Sequence, residues 1–241
     1  MKRIVVILIV ALAVLLAGCD LLPPVTGSGT LSRSTYTAAG FSGIQASQAF
    51  LVRIVPDPVY SVNITCDDNL LRYLIVENGT GTLRLALVPG YSYRGVTLIA
   101  EVHMPVVSLI DASGASTVNI DTGCTTPQGL RLVLSGASTC RLTNVNCGDL
   151  SVDVSGASQF TCTGSAAAIT VNASGASHAD VINCMGTRAN VSLSGASEAW
   201  VDVGTRPIDV SASGASTLYY GGSPALNVHD LSGASRIVRV R

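Results

Sequence analysis

Seven copies of Ser-Gly-Ala-Ser run through the second half of the chain, beginning at Ser113, Ser135, Ser155, Ser174, Ser194, Ser213 and Ser232. Their spacings are 22, 20, 19, 20, 19 and 19 residues. A near-constant period of this length marks an architecture of stacked repeats. Three residues before each motif stand Ile110, Leu132, Val152, Val171, Val191, Val210 and His229. Five residues after its first Ser stand Val118, Cys140, Phe160, Ala179, Ala199, Leu218 and Ile237. Apolar positions alternate with Ser, Thr, Asn, Asp and Arg on both sides of the motif. That is the two-residue period of a half-buried strand.

Each unit therefore reads as strand, Ser-Gly-Ala-Ser corner, strand and a Gly- or Pro-containing return. About twenty residues is too short for a strand plus a crossover helix, and half of a four-stranded propeller blade. It suits one coil of a parallel β-helix, with equivalent positions about 4.8 Å apart. Gly takes the positive φ of a tight corner, and the Ser hydroxyls are expected to form a ladder along it. A degraded copy, Ser47-Gln48-Ala49-Phe50, keeps Ile44, Ala46, Val52 and Ile54 in the apolar columns. Ser47 precedes Ser113 by 66 residues, room for two further coils. The expected fold is all-β: one parallel β-helix domain of about ten coils over residues 31–241. His229 and Arg239 fall in otherwise apolar columns of the last copy, and Arg236, Arg239 and Arg241 crowd the end. This basic end reads as protection of an open edge.

The chain starts with Lys2 and Arg3, an apolar run from Ile4 to Ala17, and Leu16-Ala17-Gly18-Cys19. Fourteen apolar residues match a signal-peptide core and are short for a membrane span. The order resembles a bacterial lipobox, with residues 1–18 as signal peptide and Cys19 as the lipidated residue. Acyl chains on Cys19 give durable anchoring, each buried methylene contributing about 0.8 kcal/mol. Residues 19–30 then read as a lipidated tether, and the membrane is the first expected partner. The leaflet is left open.

Composition narrows the function classes. Charged residues are 12% of the 241, net charge is -1, and no basic block occurs, which argues against a nucleic-acid scaffold. The three His residues, His103, His178 and His229, lie far apart in sequence. No C-x-x-C is present, so no metal site, cofactor or catalytic residue is expected. Beyond Cys19 there are six cysteines, and export permits disulfides. Cys124 and Cys147 occupy returns of adjacent coils and form the first candidate bridge. Cys140 with Cys162, and Cys162 with Cys184, are further options.

Outward positions after the corner carry the most varied chemistry. Stacking brings His178, Asp180, Glu198, Trp200, Asp202 and Tyr219 onto one surface. Rings beside carboxylates hold sugars by stacking and hydroxyl hydrogen bonds, so this face is the candidate site for polysaccharide. On that reading Trp200→Ala weakens glycan binding with little effect on melting. The alternative is that the rings pack on each other. Asp111 and Asp153 are a whole coil apart, about 9 to 10 Å, at the edge of inverting-glycosidase spacing, with Val133 between them. A polysaccharide-active enzyme is the alternative function on this count, and docking to an envelope protein is another.

The leader, Phe41-Ser42-Gly43-Ile44 and the Ser-Gly-Ala-Ser series with its Val-x-Val strands together resemble one bacterial family. It is the family of the putative auto-transporter adhesin, head GIN domain. The resemblance covers about residues 38–240 and departs at Gly43-Ile44-Gln45, where the namesake has Asn last. It implies a right-handed parallel β-helix at the cell envelope, without established catalytic residues.

Overall fold

The computed structural model describes residues 23–241. The signal peptide, Cys19 and the start of the tether lie outside the described residues.

The expected columns are the observed ones. In the stack before the corner, Ile44, Ile110, Leu132, Val152, Val171, Val191, Val210 and Val228 face one another from strand to parallel strand. After the corner the same holds for Val52, Val118, Cys140, Phe160, Ala179, Ala199, Leu218 and Ile237. Except for Val228 and Ile237 in the last coil, these side chains are buried in one continuous core. The fold is all-β, a solenoid of stacked parallel coils. Apolar residues alternate along the stacked strands of the repeats, as in Leu130–Leu134 and Ala189–Leu193, because only the inner face of a coil is dry.

The corner explains its own sequence. Each motif Gly has φ between 71° and 78°. The N–H of the following Ala donates to the carbonyl of the Gly one coil earlier, as in Ala137 to Gly114 and Ala157 to Gly136, both at 2.7 Å. This backbone ladder replaces the expected ladder of Ser hydroxyls. The second Ser of each motif is buried in the first six copies. In most copies its hydroxyl closes the turn by donating to the carbonyl of the first Ser, as Ser158 does to Ser155 at 2.8 Å. A hydroxyl finds a carbonyl acceptor there more readily than another hydroxyl, because corner carbonyls point along the turn.

The N-terminal third departs from the simple repeat. The Ser113 coil stacks directly on the Ser47 coil, with Ala115 N–H donating to Gln48 O. The two coils expected between them are absent, and the count of ten is too high. Residues 57–108 instead fold back beneath the Ser47 coil. Thr82–Leu87 and Leu98–Met104 lie parallel to Gly43–Ala46 and Leu51–Pro56. Antiparallel strands Leu74–Gly79, Ser61–Asp67 and Leu31–Tyr36 then close that end. The reversal is a hairpin at Thr80 and Gly81, with φ 51° and 80°, the positive pair that a two-residue hairpin favours. Antiparallel closure protects the solenoid from end-to-end pairing. Gln48 takes the Gly position of the corner at φ 66°, and its Oε1 accepts the N–H of Leu87 at 3.1 Å.

The ordered domain also begins earlier than residue 31. Val25–Thr26 pairs with Tyr93–Arg94, and the buried Asp67 carboxylate accepts the N–H groups of Gly29 and Thr97, both at 2.7 Å.

At the other end, a register shift between Val210 and Ser211 leaves His229 as an extra residue. It does not occupy an inward column. It is exposed, 3.2 Å from the Asp209 carboxylate. Arg241 clamps the terminus, its Nε 3.0 Å from Asp202 and its guanidinium donating to Ile182 O.

Candidate functional site

The strands after the corner bring five of the six expected residues into one neighbourhood. His178 lies opposite Glu198, Asp180 opposite Trp200, and Trp200 opposite Tyr219. The rings form a continuous stack: His178 to Trp200 at 4.3 Å between centroids, and Trp200 to Tyr219 at 4.3 Å with an 18° interplanar angle. Strand spacing near 4.8 Å places rings on adjacent coils at stacking distance.

Both faces of the Trp200 indole are therefore covered. A sugar needs a free ring face, and here the stack offers solvent its edges. His178 Nδ1 sits 3.7 Å from Glu198, and Asp180 accepts the N–H of Ile182. Asp202 does not join the face. It is largely buried, holding Arg241 and the N–H of Gly204 at 2.8 Å. The expected sugar platform is thus a side-chain ladder that joins three coils.

The cysteines are core residues. All six beyond Cys19 are buried free thiols. Cys124 lies opposite Val145 and Cys147 opposite Thr126, so the expected bridge partners are diagonal neighbours. Burial pushes the Cys124 thiol up to about 11. Burial, then the neighbouring thiols of Cys184 and Cys124, pushes Cys147 up to about 12. Cys162 is raised by its hydrogen bond with Cys184 and by burial.

A concavity lies on the other face, which sequence reasoning did not select. A groove of about 380 Å³ crosses six coils beside the corner. Ser155, Ser174, Ser194 and Ser213 line it along the corner, and Asp153, Asn172, Ser192 and Ser211 line it along the sheet. An adjoining hollow of about 340 Å³ shares Ser192 and Ser211 and adds Asn190, Asp209 and His229. Hydrogen bonds between coils fix the polar groups. Asn172 donates to Asp153 at 2.7 Å, and Asn227 donates to Asp209 at 3.0 Å. Hydrogen bonds from Asn227 and His229 hold the Asp209 carboxyl below its ordinary value. Arg131 pairs with Asp153 at 2.7 Å. The signal in the sequence was the run of small polar residues two positions before the motif. Small outward side chains on adjacent coils leave a trough beside the corner.

The two carboxylates considered for catalysis are both occupied. Asp153 is held by Arg131 and Asn172, and Asp111 accepts from Gln45 Nε2 at 3.0 Å. Val133 lies between them in register.

Comparison with known proteins agrees with this geometry. A putative adhesin from Bacteroides fragilis superimposes with a TM-score of 0.78 at 18% identity, over 90% of this chain and 100% of its own. A putative lipid binding protein from Parabacteroides distasonis gives 0.68 at 15%, over 91% and 100%. A putative adhesin from Parabacteroides merdae gives 0.64 at 15%, over 91% and 100%. At these identities the likeness is one of fold. No curated protein matches the chain. The family model of the putative auto-transporter adhesin, head GIN domain, matches residues 40–224, and the chain belongs to that family.

Proposed function

We propose that this chain is a lipid-anchored adhesion module of the cell surface that holds an extended polysaccharide in the groove beside its Ser-Gly-Ala-Ser corner. The observation that carries this reading is the groove itself. It crosses six coils and presents a corner hydroxyl in four successive ones, next to an amide and a carboxylate. A polar ladder repeating every 4.8 Å or so suits a polymer that offers hydroxyls at regular intervals along its length. Hydroxyls and amides can both donate to and accept from sugar hydroxyls, and carboxylates accept from them. The family's description, putative auto-transporter adhesin, supports adhesion, and the lipobox at Cys19 supplies a membrane attachment.

The test is titration calorimetry with bacterial cell-wall polysaccharides. Asn172→Ala removes one amide from the groove and is expected to weaken binding about tenfold, the effect of losing one or two hydrogen bonds. Trp200→Phe is expected to leave affinity unchanged. The opposite pattern would place the ligand on the aromatic ladder and remove the groove from the proposal.

One observation favours a second reading, docking to an envelope protein. Leu226–Leu231, in the last coil, pairs on one side only, with Ile208–Ala212, and its Val228 and Leu231 are about half exposed. An open strand of this kind accepts a partner's strand. A partner held there is released by Val228→Pro and unaffected by Asn172→Ala.

A further inference from the structure

The geometry points to a membrane-docking surface on the N-terminal cap: the patch around Tyr91, Arg94, Leu71 and Arg72 rests in the anionic headgroup layer of the bilayer that holds Cys19. This rests on the lipid-anchor part of the proposed function.

Three observations carry it. The first is reach. Six peptide steps separate Cys19 from Val25, which at full extension span about 20 Å. From Val25 onward the chain is fastened to the cap. Val25 N–H donates to Ser92 O and Gly27 N–H to Arg94 O, and Asn69 binds both Ser28 N–H and Thr26 O. The loop carrying residues 91–95 is therefore held near the bilayer surface by the same chain that carries the lipid.

The second is chemistry. Tyr73, Tyr91 and Tyr93 form a cluster with centroids 5.1 to 6.2 Å apart. Tyr91 and Leu71 are each 39% exposed, and Leu31 is 55% exposed at the start of the neighbouring strand. Tyrosines and snorkelling arginines are the side chains that settle at the boundary between headgroups and acyl chains.

The third is charge. Arg72 lies over the Tyr73 ring at 5.3 Å, and Arg72 and Arg94 are exposed. The arginines in ion pairs among the described residues are Arg53, Arg84, Arg131 and Arg241, so both cap guanidiniums are left for anionic lipid. The acids beside them are already engaged: Asp67 is buried on backbone amides, and Asp68 accepts the Ser28 hydroxyl. The Trp200 ladder stands six strand spacings along the stack from Leu98–Met104, about 29 Å, so the solenoid carries its grooved face away from the docked end.

The test uses the full-length lipidated chain in vesicles of phosphatidylglycerol and phosphatidylcholine brominated close to the headgroup. The chain has one Trp, so the native protein reports on Trp200, and Tyr91→Trp in a Trp200→Phe background reports on the cap. Flotation with the vesicles is scored in parallel. The expected result is flotation of both proteins and loss of fluorescence in the Tyr91→Trp variant only, with much of that loss reversed by Arg72→Glu and Arg94→Glu. Flotation without quenching of the Tyr91→Trp variant overturns cap docking and leaves the anchor standing. Equal quenching of both reporters also overturns it. A chain that does not float removes the anchor and the docking surface together.

Discussion

A methyl group added to Gly136 would meet the carbonyl oxygen of Gly114 at 2.6 Å, and that same oxygen accepts the N–H of Ala137 at 2.7 Å. The contact repeats at Gly156, Gly175, Gly195, Gly214 and Gly233, at 2.4 to 2.7 Å. Glycine is needed there twice, for its positive φ and for the closeness of the coil below. This is why the motif survives in seven copies while the strands around it drift.

Gly156→Ala is therefore expected to destabilise the domain by about 2–4 kcal/mol, from backbone strain together with displacement of the ladder. Gly40→Ala is the comparison. Gly40 also has positive φ, 76°, but nothing lies within 4 Å of its would-be methyl, so only the left-handed penalty of about 1–2 kcal/mol applies. Thermal unfolding of both variants measures the difference. Equal shifts would mean that stacking adds nothing at the corner.

Trp200→Ala is expected to cost about 1–3 kcal/mol, because two ring contacts are lost. Trp200→Phe keeps a ring between His178 and Tyr219 and costs less. This reverses the expectation drawn from the sequence, in which Trp200 served binding rather than stability. An unchanged melting temperature in Trp200→Ala would restore the earlier view.

Buried thiols make the fold sensitive to alkali. An unfolded Cys titrates near about 8.5, whereas burial holds Cys124 up to about 11 and Cys147 up to about 12. Above about pH 8.5 the unfolded chain releases protons that the native state keeps. The stabilisation is fully present below that pH and is lost as pH rises through the native values. Denaturant midpoints are expected to fall between about pH 8 and about pH 11, with a shallower fall in Cys147→Ala. A midpoint independent of pH over that window would show the thiols to be open to solvent.

The repeated part of the fold was legible because a coil interior is one residue wide. Whatever faces inward must be apolar, and period two exposes it, which is how Val118, Cys140 and Phe160 fall into one column from the sequence alone. The N-terminal cap was not legible on the same rule. Its strands alternate equally well, but alternation does not distinguish parallel from antiparallel neighbours. The reversal at Thr80 and Gly81 lies within a 66-residue interval, from Ser47 to Ser113, that three 22-residue periods also fit. Five of the six residues gathered from the sequence share one neighbourhood, with Asp202 turned in to Arg241, and the rings face one another. Sequence columns show which rings are neighbours and are silent on whether their faces are free. The groove was missed for a related reason. Ser, Asn and Asp look unremarkable one at a time, and only stacking turns their small size into a trough.

The most direct measurement is a glycan and cell-wall polysaccharide array probed with residues 20–241, the Ser174→Tyr variant and the Trp200→Phe variant. Ser174 lines the groove, and a phenol there fills it from the corner. Binding to a defined polysaccharide that survives Trp200→Phe and is abolished by Ser174→Tyr is the predicted result. Binding that persists in Ser174→Tyr, or an array on which the wild-type domain binds nothing, would contradict the groove as the adhesive site.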